Sequence, residues 1–193
     1  MALTVRFPEA LDRKIESFDR GVDRAFDHVR GKPTIDRLFY GASAVGDHGL
    51  IWLLLGAARG LRSDDGWHAA VRVGAGVGIE SALVNIGIKS LFRRERPVHE
   101  GLRPHSLRKP RTSSFPSGHA TSAFTAAALL SDRDHLKPLY YGAAVIVATS
   151  RVYVKIHHAS DVVAGIAVGA ALGAIGRRIY PLPSPPDRGR APA

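Results

Sequence analysis

Five apolar stretches separated by short charged connectors constrain this chain more than any other feature. They cover residues 38–58, 69–88, 118–130, 138–150 and 161–176, and all are rich in Ala, Gly, Val or Leu. None is an uninterrupted run of the ~20 apolar residues that a bilayer usually demands. Asp47 and His48 break the first, and Arg72, Glu80 and Asn85 break the second. A soluble helical bundle is therefore one reading. Two details favour the membrane instead. Gly165, Gly169 and Gly173 are spaced by four, as are Gly74 and Gly78, the pattern by which membrane helices approach closely. Segments so rich in small residues would also make a weak core in water. The expected fold is all-α, a membrane-embedded bundle of about five spanning helices.

An amphipathic helix precedes the bundle. Leu11, Ile15, Phe18, Val22, Phe26 and Val29 recur at helical spacing over residues 9–30. Its apolar face can pack on the domain, lie in the membrane interface or pair with a second subunit, so a homo-oligomer is compatible with it. The first twenty residues alternate charge and do not read as a secretory signal peptide. The expected organisation is an N-terminal helix and linker at 1–37, a helical bundle at 38–180 and a Pro-rich disordered tail at 181–193. The chain has no cysteine, so disulfides and thiolate chemistry are excluded.

The formal net charge is +10, and its placement matters more than its size. Basic residues gather at helix ends with no interleaved aromatic patch, which argues against nucleic acid as a partner. An up-and-down trace brings three polar clusters to one rim: "KSLFRRERP" from Lys89, "PSGH" at 116–119, and "SRVYVKIHHASD" from Ser150 to Asp161. Ser117 reads as an N-cap whose helix start also offers amides to an anion. Lys89, Arg96 and Arg151 add fixed positive charge, the equipment for gripping a phosphoryl group. Lipid headgroups account for Arg93, Arg94 and Arg111 equally well, but they do not account for the histidines. His157 and Asp161 are spaced as i,i+4 neighbours, so the carboxylate can orient the ring and leave its other nitrogen as nucleophile or base. His158 has comparable spacing to Asp161, so spacing alone does not separate the two. Asp47 reads either as the N-cap of a helix starting at His48 or, like His48, Glu80 and Asn85, as a polar functional candidate. Glu80 is a candidate partner for Arg72 or another buried cation.

The pattern K-x6-RP, PSGH and SR-x5-H-x3-D resembles the three-part signature of the type 2 phosphatidic acid phosphatase superfamily. Every specified position matches: Lys89, Arg96, Pro97; Pro116, Ser117, Gly118, His119; Ser150, Arg151, His157, Asp161. The resemblance implies a phosphatase without metal or other cofactor, acting on a phosphorylated membrane lipid. By that pattern His157 is the nucleophile that forms a phosphohistidine, Asp161 orients it, and His119 protonates the leaving oxygen. Lys89, Arg96, Ser117, Gly118 and Arg151 hold the phosphate. The short bacterial lipid phosphatases are the nearer likeness, which implies a plasma-membrane protein. Their substrates are phosphatidic acid, polyprenyl diphosphates or polyprenyl-phosphoryl sugar phosphates. Vanadate-binding peroxidases of the same superfamily are the alternative, and a non-catalytic lipid-binding membrane protein is another. More Lys and Arg fall on the active-site side than on the other, so the positive-inside rule leans the site toward the cytoplasm.

Overall fold

The structure is a computed structural model and describes residues 8–62, 64–99, 103–107 and 112–183. Among them there are helices and no strand. Helix α1 spans Glu9–Asp27 and α2 spans Pro33–Val45. A 3₁₀ turn at Asp47–Gly49 leads into α3, Leu50–Gly60. Helix α4, Asp64–Ala82, runs on through a π turn at Leu83–Ile88 to a last turn at Lys89–Leu91. Then come α5 (Gly118–Leu130), α6 (Lys137–Tyr153) and α7 (Ala159–Ile179). The end of the expected tail, residues 184–193, lies outside the described residues, as does Arg111.

Helix α5 is the axis of the bundle, with α4, α6 and α7 packed around it. Its sequence, GHATSAFTAAALL, makes this possible because side chains this small on every face suit a helix surrounded by others. Ala120, Ala123, Ala126, Ala127 and Leu130 are all fully buried. The glycines of α7 explain how close the neighbours come. A Cβ added at Gly165 would lie 2.6 Å from the Ser117 carbonyl oxygen, and one at Gly169 would lie 2.4 Å from that of Thr121. One at Gly173 would meet the Ala128 methyl at 2.5 Å. This stripe lets α7 lie backbone against backbone on α5, as its spacing predicts.

The second glycine pair behaves otherwise. Gly74 and Gly78 have nothing within 4 Å of an added Cβ, whereas Gly76 would strike Leu129 at 2.5 Å. Spacing by four identified the correct helix but the wrong face, because α4 turns Gly76 toward α5.

The expected membrane architecture is present at the level of its helices. Gly66–Leu91 and Ala159–Ile179 are each long and apolar enough to cross a bilayer. The pair Pro33–Val45 and Asp47–Gly60, bent by 62°, is a third candidate if it counts as one broken span. Helices α5 and α6 are shorter, at 13 and 17 residues. The apolarity of α5 is accounted for by protein contacts on all sides. The chain is thus an all-α integral membrane protein of the expected class.

At the rim remote from the histidines, ion pairs close the bundle. Arg72 binds Asp132 at 2.8 Å and the Leu129 carbonyl at 2.8 Å, while Arg59 faces Asp134 at 3.5 Å. Glu80 therefore does not pair with Arg72 as the sequence suggested. It accepts a hydrogen bond from Ser122 instead, because α4 directs the two side chains to different neighbours.

Candidate active site

The three polar clusters meet where α4 ends and α5 and α7 begin. The last turn of α4 presents Lys89, whose Nζ donates to Asn85 Oδ1 at 3.0 Å. That ammonium lies 3.5 Å from where a Gly118 Cβ would be, so the cation stands directly over the start of α5. Ser117 caps α5: its Oγ accepts from the Ala120 amide at 3.4 Å, and it is fully buried. Its own amide donates to the Asp161 carbonyl at 3.0 Å, tying the start of α5 to the start of α7.

His157 sits in the connector between α6 and α7, at 3% exposure. Helix α7 begins only at Ala159, so His157 and Asp161 are not on one helix as the spacing suggested. Asp161 is the third helical residue, and its Oδ2 accepts from the His158 amide at 2.9 Å. The same oxygen stands 3.6 Å from His157 Nδ1. On the ring's other side an Arg96 guanidinium nitrogen lies 3.2 Å from Nε2. A guanidinium only donates, so Nε2 accepts and the proton resides on Nδ1, facing the carboxylate. Burial holds the His157 pKa well below the usual histidine range, and the carboxylate of Asp161 only partly offsets that. The ring is therefore neutral at pH 7, with its lone pair on Nε2.

Arg96 is fixed by the carbonyls of Ile156, Thr112 and Ser113 at 3.0–3.1 Å. Arg151, 1% exposed, bonds Ser43 Oγ, while its Nε has no partner. Both arginines, Lys89 and His157 are thus built in by neighbouring groups. A cavity of about 360 Å³ collects Lys89, Gly118, His119, Arg151 and His157, together with Asn85, Ser122 and Thr112. Of the eight site residues expected from the sequence, five line this cavity, while Arg96 and Asp161 flank the His157 ring and Ser117 caps α5.

Three further residues belong to the site. Asp47 lines the cavity, and its Oδ1 lies 3.0 Å from His119 Nε2. It does not cap a helix: α3 begins at Leu50, after Gly49 in the left-handed region. His48 also takes a positive φ of 58° there, so the chain turns sharply and delivers the carboxylate to the site. Arg94 is the second. Its guanidinium binds Asp161 Oδ1 at 2.6 Å, Ser160 Oγ at 2.7 Å and Asp19 Oδ2 at 2.7 Å. A lipid-headgroup reading of Arg94 is therefore corrected: it points inward because two carboxylates attract it. Asp19 is the third, and is 7% exposed on an otherwise open helix. It accepts from the Ser160 amide at 2.8 Å, capping α7 from α1. Its signal was present in the sequence, since Asp19 falls four after Ile15 and three before Val22, on the apolar face of α1.

A chain of contacts thus runs from α1 to the nucleophile candidate: Asp19, Arg94, Asp161, His157. Chemically, the cavity offers a neutral imidazole backed by a carboxylate, a second histidine backed by another, and three cations beside a helix start. That set suits transfer of a phosphoryl group to nitrogen with proton delivery to the departing oxygen.

Comparison with known proteins agrees with this chemistry. The family model described as PAP2 superfamily matches residues 69–183. The decaprenylphosphoryl-5-phosphoribose phosphatase of Mycobacterium tuberculosis (strain CDC 1551 / Oshkosh) is 41% identical over 138 residues, covering 70% of this chain and 75% of that protein. The protein of the same name from Mycolicibacterium smegmatis is 34% identical over 140 residues, covering 71% and 74%. Among solved structures, Aquifex aeolicus LpxE superposes with a TM-score of 0.65 at 27% identity, covering 82% of this chain and 93% of that one. A transmembrane PAP2-type phosphatidylglycerolphosphate phosphatase from Bacillus subtilis has the same fold, with a TM-score of 0.61 at 21% identity over 89% and 87%.

Proposed function

This chain belongs to the PAP2 superfamily and is a lipid phosphatase, and from that premise we propose that it removes the terminal phosphate of a polyprenyl-phosphoryl sugar phosphate. The observation that carries the mechanism is the orientation of His157, a residue of the cavity lining: Nδ1 faces Asp161 while Nε2 lies 3.2 Å from an Arg96 guanidinium nitrogen.

Nε2 attacks phosphorus in line as the bond from phosphorus to the sugar oxygen breaks. The imidazole becomes cationic as the N–P bond forms, and the Asp161 carboxylate stabilises that charge. His119 gives a proton to the departing oxygen, so the sugar leaves as an alcohol. A water then attacks the phosphohistidine, and His119 takes its proton. Inorganic phosphate leaves, and both histidines return to their starting state. Lys89, Arg96, Arg151 and the amide of Gly118 at the Ser117-capped helix start hold the equatorial oxygens, whose charge is spread in the transition state. Burial holds the His119 pKa below the usual histidine range, and Asp47, 3.0 Å from its Nε2, orients the ring and partly offsets that.

The sugar-phosphate reading draws on the two mycobacterial relatives, whose names state that substrate. The test is phosphate release by purified protein in detergent with chelator present. The panel is polyprenyl-phosphoryl ribose 5-phosphate, polyprenyl diphosphate and phosphatidic acid. The highest kcat/KM is expected for the first, and a preference for phosphatidic acid would overturn the reading. Loss of activity on chelation would overturn the metal-free mechanism.

We place the protein in the bacterial plasma membrane with the active-site rim toward the cytoplasm, on the excess of Lys and Arg in that side's connectors. Val98, 80% exposed in the segment beside the site, offers a position to label. A Val98→Cys variant is expected to resist an impermeant thiol reagent in intact cells and to react after lysis. Labelling before lysis would reverse the orientation.

A further inference from the structure

We propose that Arg93 and the apolar groove beside it form a second subsite, for the inner phosphodiester and first prenyl units of the substrate. The inference rests on the sugar-phosphate reading above and extends it to named residues.

Three hollows lie in series. The catalytic cavity shares Lys89 and Thr112 with an open polar cleft. That cleft shares Phe92, Arg93 and Arg94 with a groove of about 570 Å³ between α1 and α7. Phe18, Phe115, Val163 and Ala167 make the groove predominantly apolar. Val163 and Ala167 belong to the first turns of α7, a spanning helix, so the groove wall runs down into the span. The order from inside to outside is thus phosphate grip, polar space, cation, hydrocarbon surface. A polyprenyl-phosphoryl sugar phosphate has the same order of parts: terminal phosphate, sugar, phosphodiester, prenyl chain.

Arg93 occupies the junction. Its neighbours Arg94 and Arg96 are committed to protein groups, but Arg93 is exposed and forms no ion pair among the described residues. It lies three residues from Arg96 on non-helical chain, hence at most about 10 Å away along the backbone. Two carboxylates, Asp12 and Glu16, also line the groove. They disfavour an anion along its length, so the diester is held at the Arg93 end. Lipids whose scissile phosphate joins the hydrocarbon chain directly have no second anion for Arg93. For them a groove lined by Leu53, Gly74 and Gly78 adjoins the catalytic cavity directly at Val77 and Ser81.

The test compares kcat/KM of the full chain in detergent on polyprenyl-phosphoryl ribose 5-phosphate and on a polyprenyl monophosphate of equal chain length. Arg93→Ala is expected to lower the preference for the two-phosphate substrate about tenfold, through KM, as loss of a charge-assisted contact implies. Arg93→Lys should retain part of that preference. Ala167→Trp, at an exposed position on the groove wall, should shift the ratio in the same direction. An unchanged ratio, or equal losses on both substrates, would overturn the subsite while leaving the sugar-phosphate reading intact. A wild-type protein that does not hydrolyse the two-phosphate substrate would instead refute that reading, and the subsite with it.

Discussion

Replacing His157 with alanine is expected to lower phosphate release by at least about four orders of magnitude, in line with removal of a nucleophile from a preorganised site. Alanine removes the nitrogen that bonds to phosphorus, and the remaining cations grip phosphate without offering an acceptor for it. Substrate affinity should change far less, because Lys89, Arg96 and Arg151 are held by other groups: Asn85, the carbonyls at 112, 113 and 156, and Ser43. The predicted signature is therefore a collapse in kcat with KM within severalfold. Acid-labile phosphate should become attached to wild-type protein during turnover and be missing from the variant. A variant that keeps a tenth of the activity, or a wild type that never carries acid-labile phosphate, would remove His157 from this role.

The second large effect is expected at Arg94, which touches neither nucleophile nor cavity but binds Asp161 Oδ1 at 2.6 Å. Asp161 is fully buried, so Arg94→Ala leaves a buried carboxylate without its cation. Breaking such pairs typically costs about 3–5 kcal/mol. We expect a lower thermal midpoint and a fall in kcat of roughly 10–100-fold, the range for a group that orients a catalytic ligand. The pH profile separates positioning from mere loss of stability. With Arg94 gone, the charge of Asp161 acts undiminished on His157 and raises its pKa. The acid limb of kcat/KM should then move to higher pH, and Arg94→Lys should move it back. Asp19→Asn is the milder probe. It keeps an acceptor for the Ser160 amide but removes the charge 2.7 Å from Arg94, and a loss of about tenfold or less is expected. A fall in activity with no movement of the acid limb would reduce Arg94 to a structural tie.

These two residues differ in how legible they were. His157 stands in a spaced pattern with Arg151 and Asp161 that can be read along a single stretch of chain. Arg94 lies among four arginines and lysines in "KSLFRRERP", and only the fold separates them. It turns Lys89 and Arg96 to the phosphate grip, Arg94 inward to two carboxylates, and Arg93 out to the junction of two hollows. Asp47 is a similar case. Its position before two left-handed residues, His48 and Gly49, identifies a turn once the backbone is known. Its partner His119 is 72 positions away in sequence, and no local pattern links them.

The sequence by itself determined the helical segments, the grouping of three polar clusters at one rim, and the Ser117 cap at the start of α5. These follow from local periodicity, from connector lengths and from the side-chain chemistry of Ser117. Only the tertiary structure decided which faces meet. Gly165, Gly169 and Gly173 pack against α5, whereas Gly74 and Gly78 at the same spacing do not, because α4 presents Gly76 to Leu129. It also brought α1 into the site through Asp19. Spacing along a helix says which residues share a face. It cannot say how the helix is rotated against its neighbours, and that rotation turns Asp19 of α1 onto Arg94 and the start of α7.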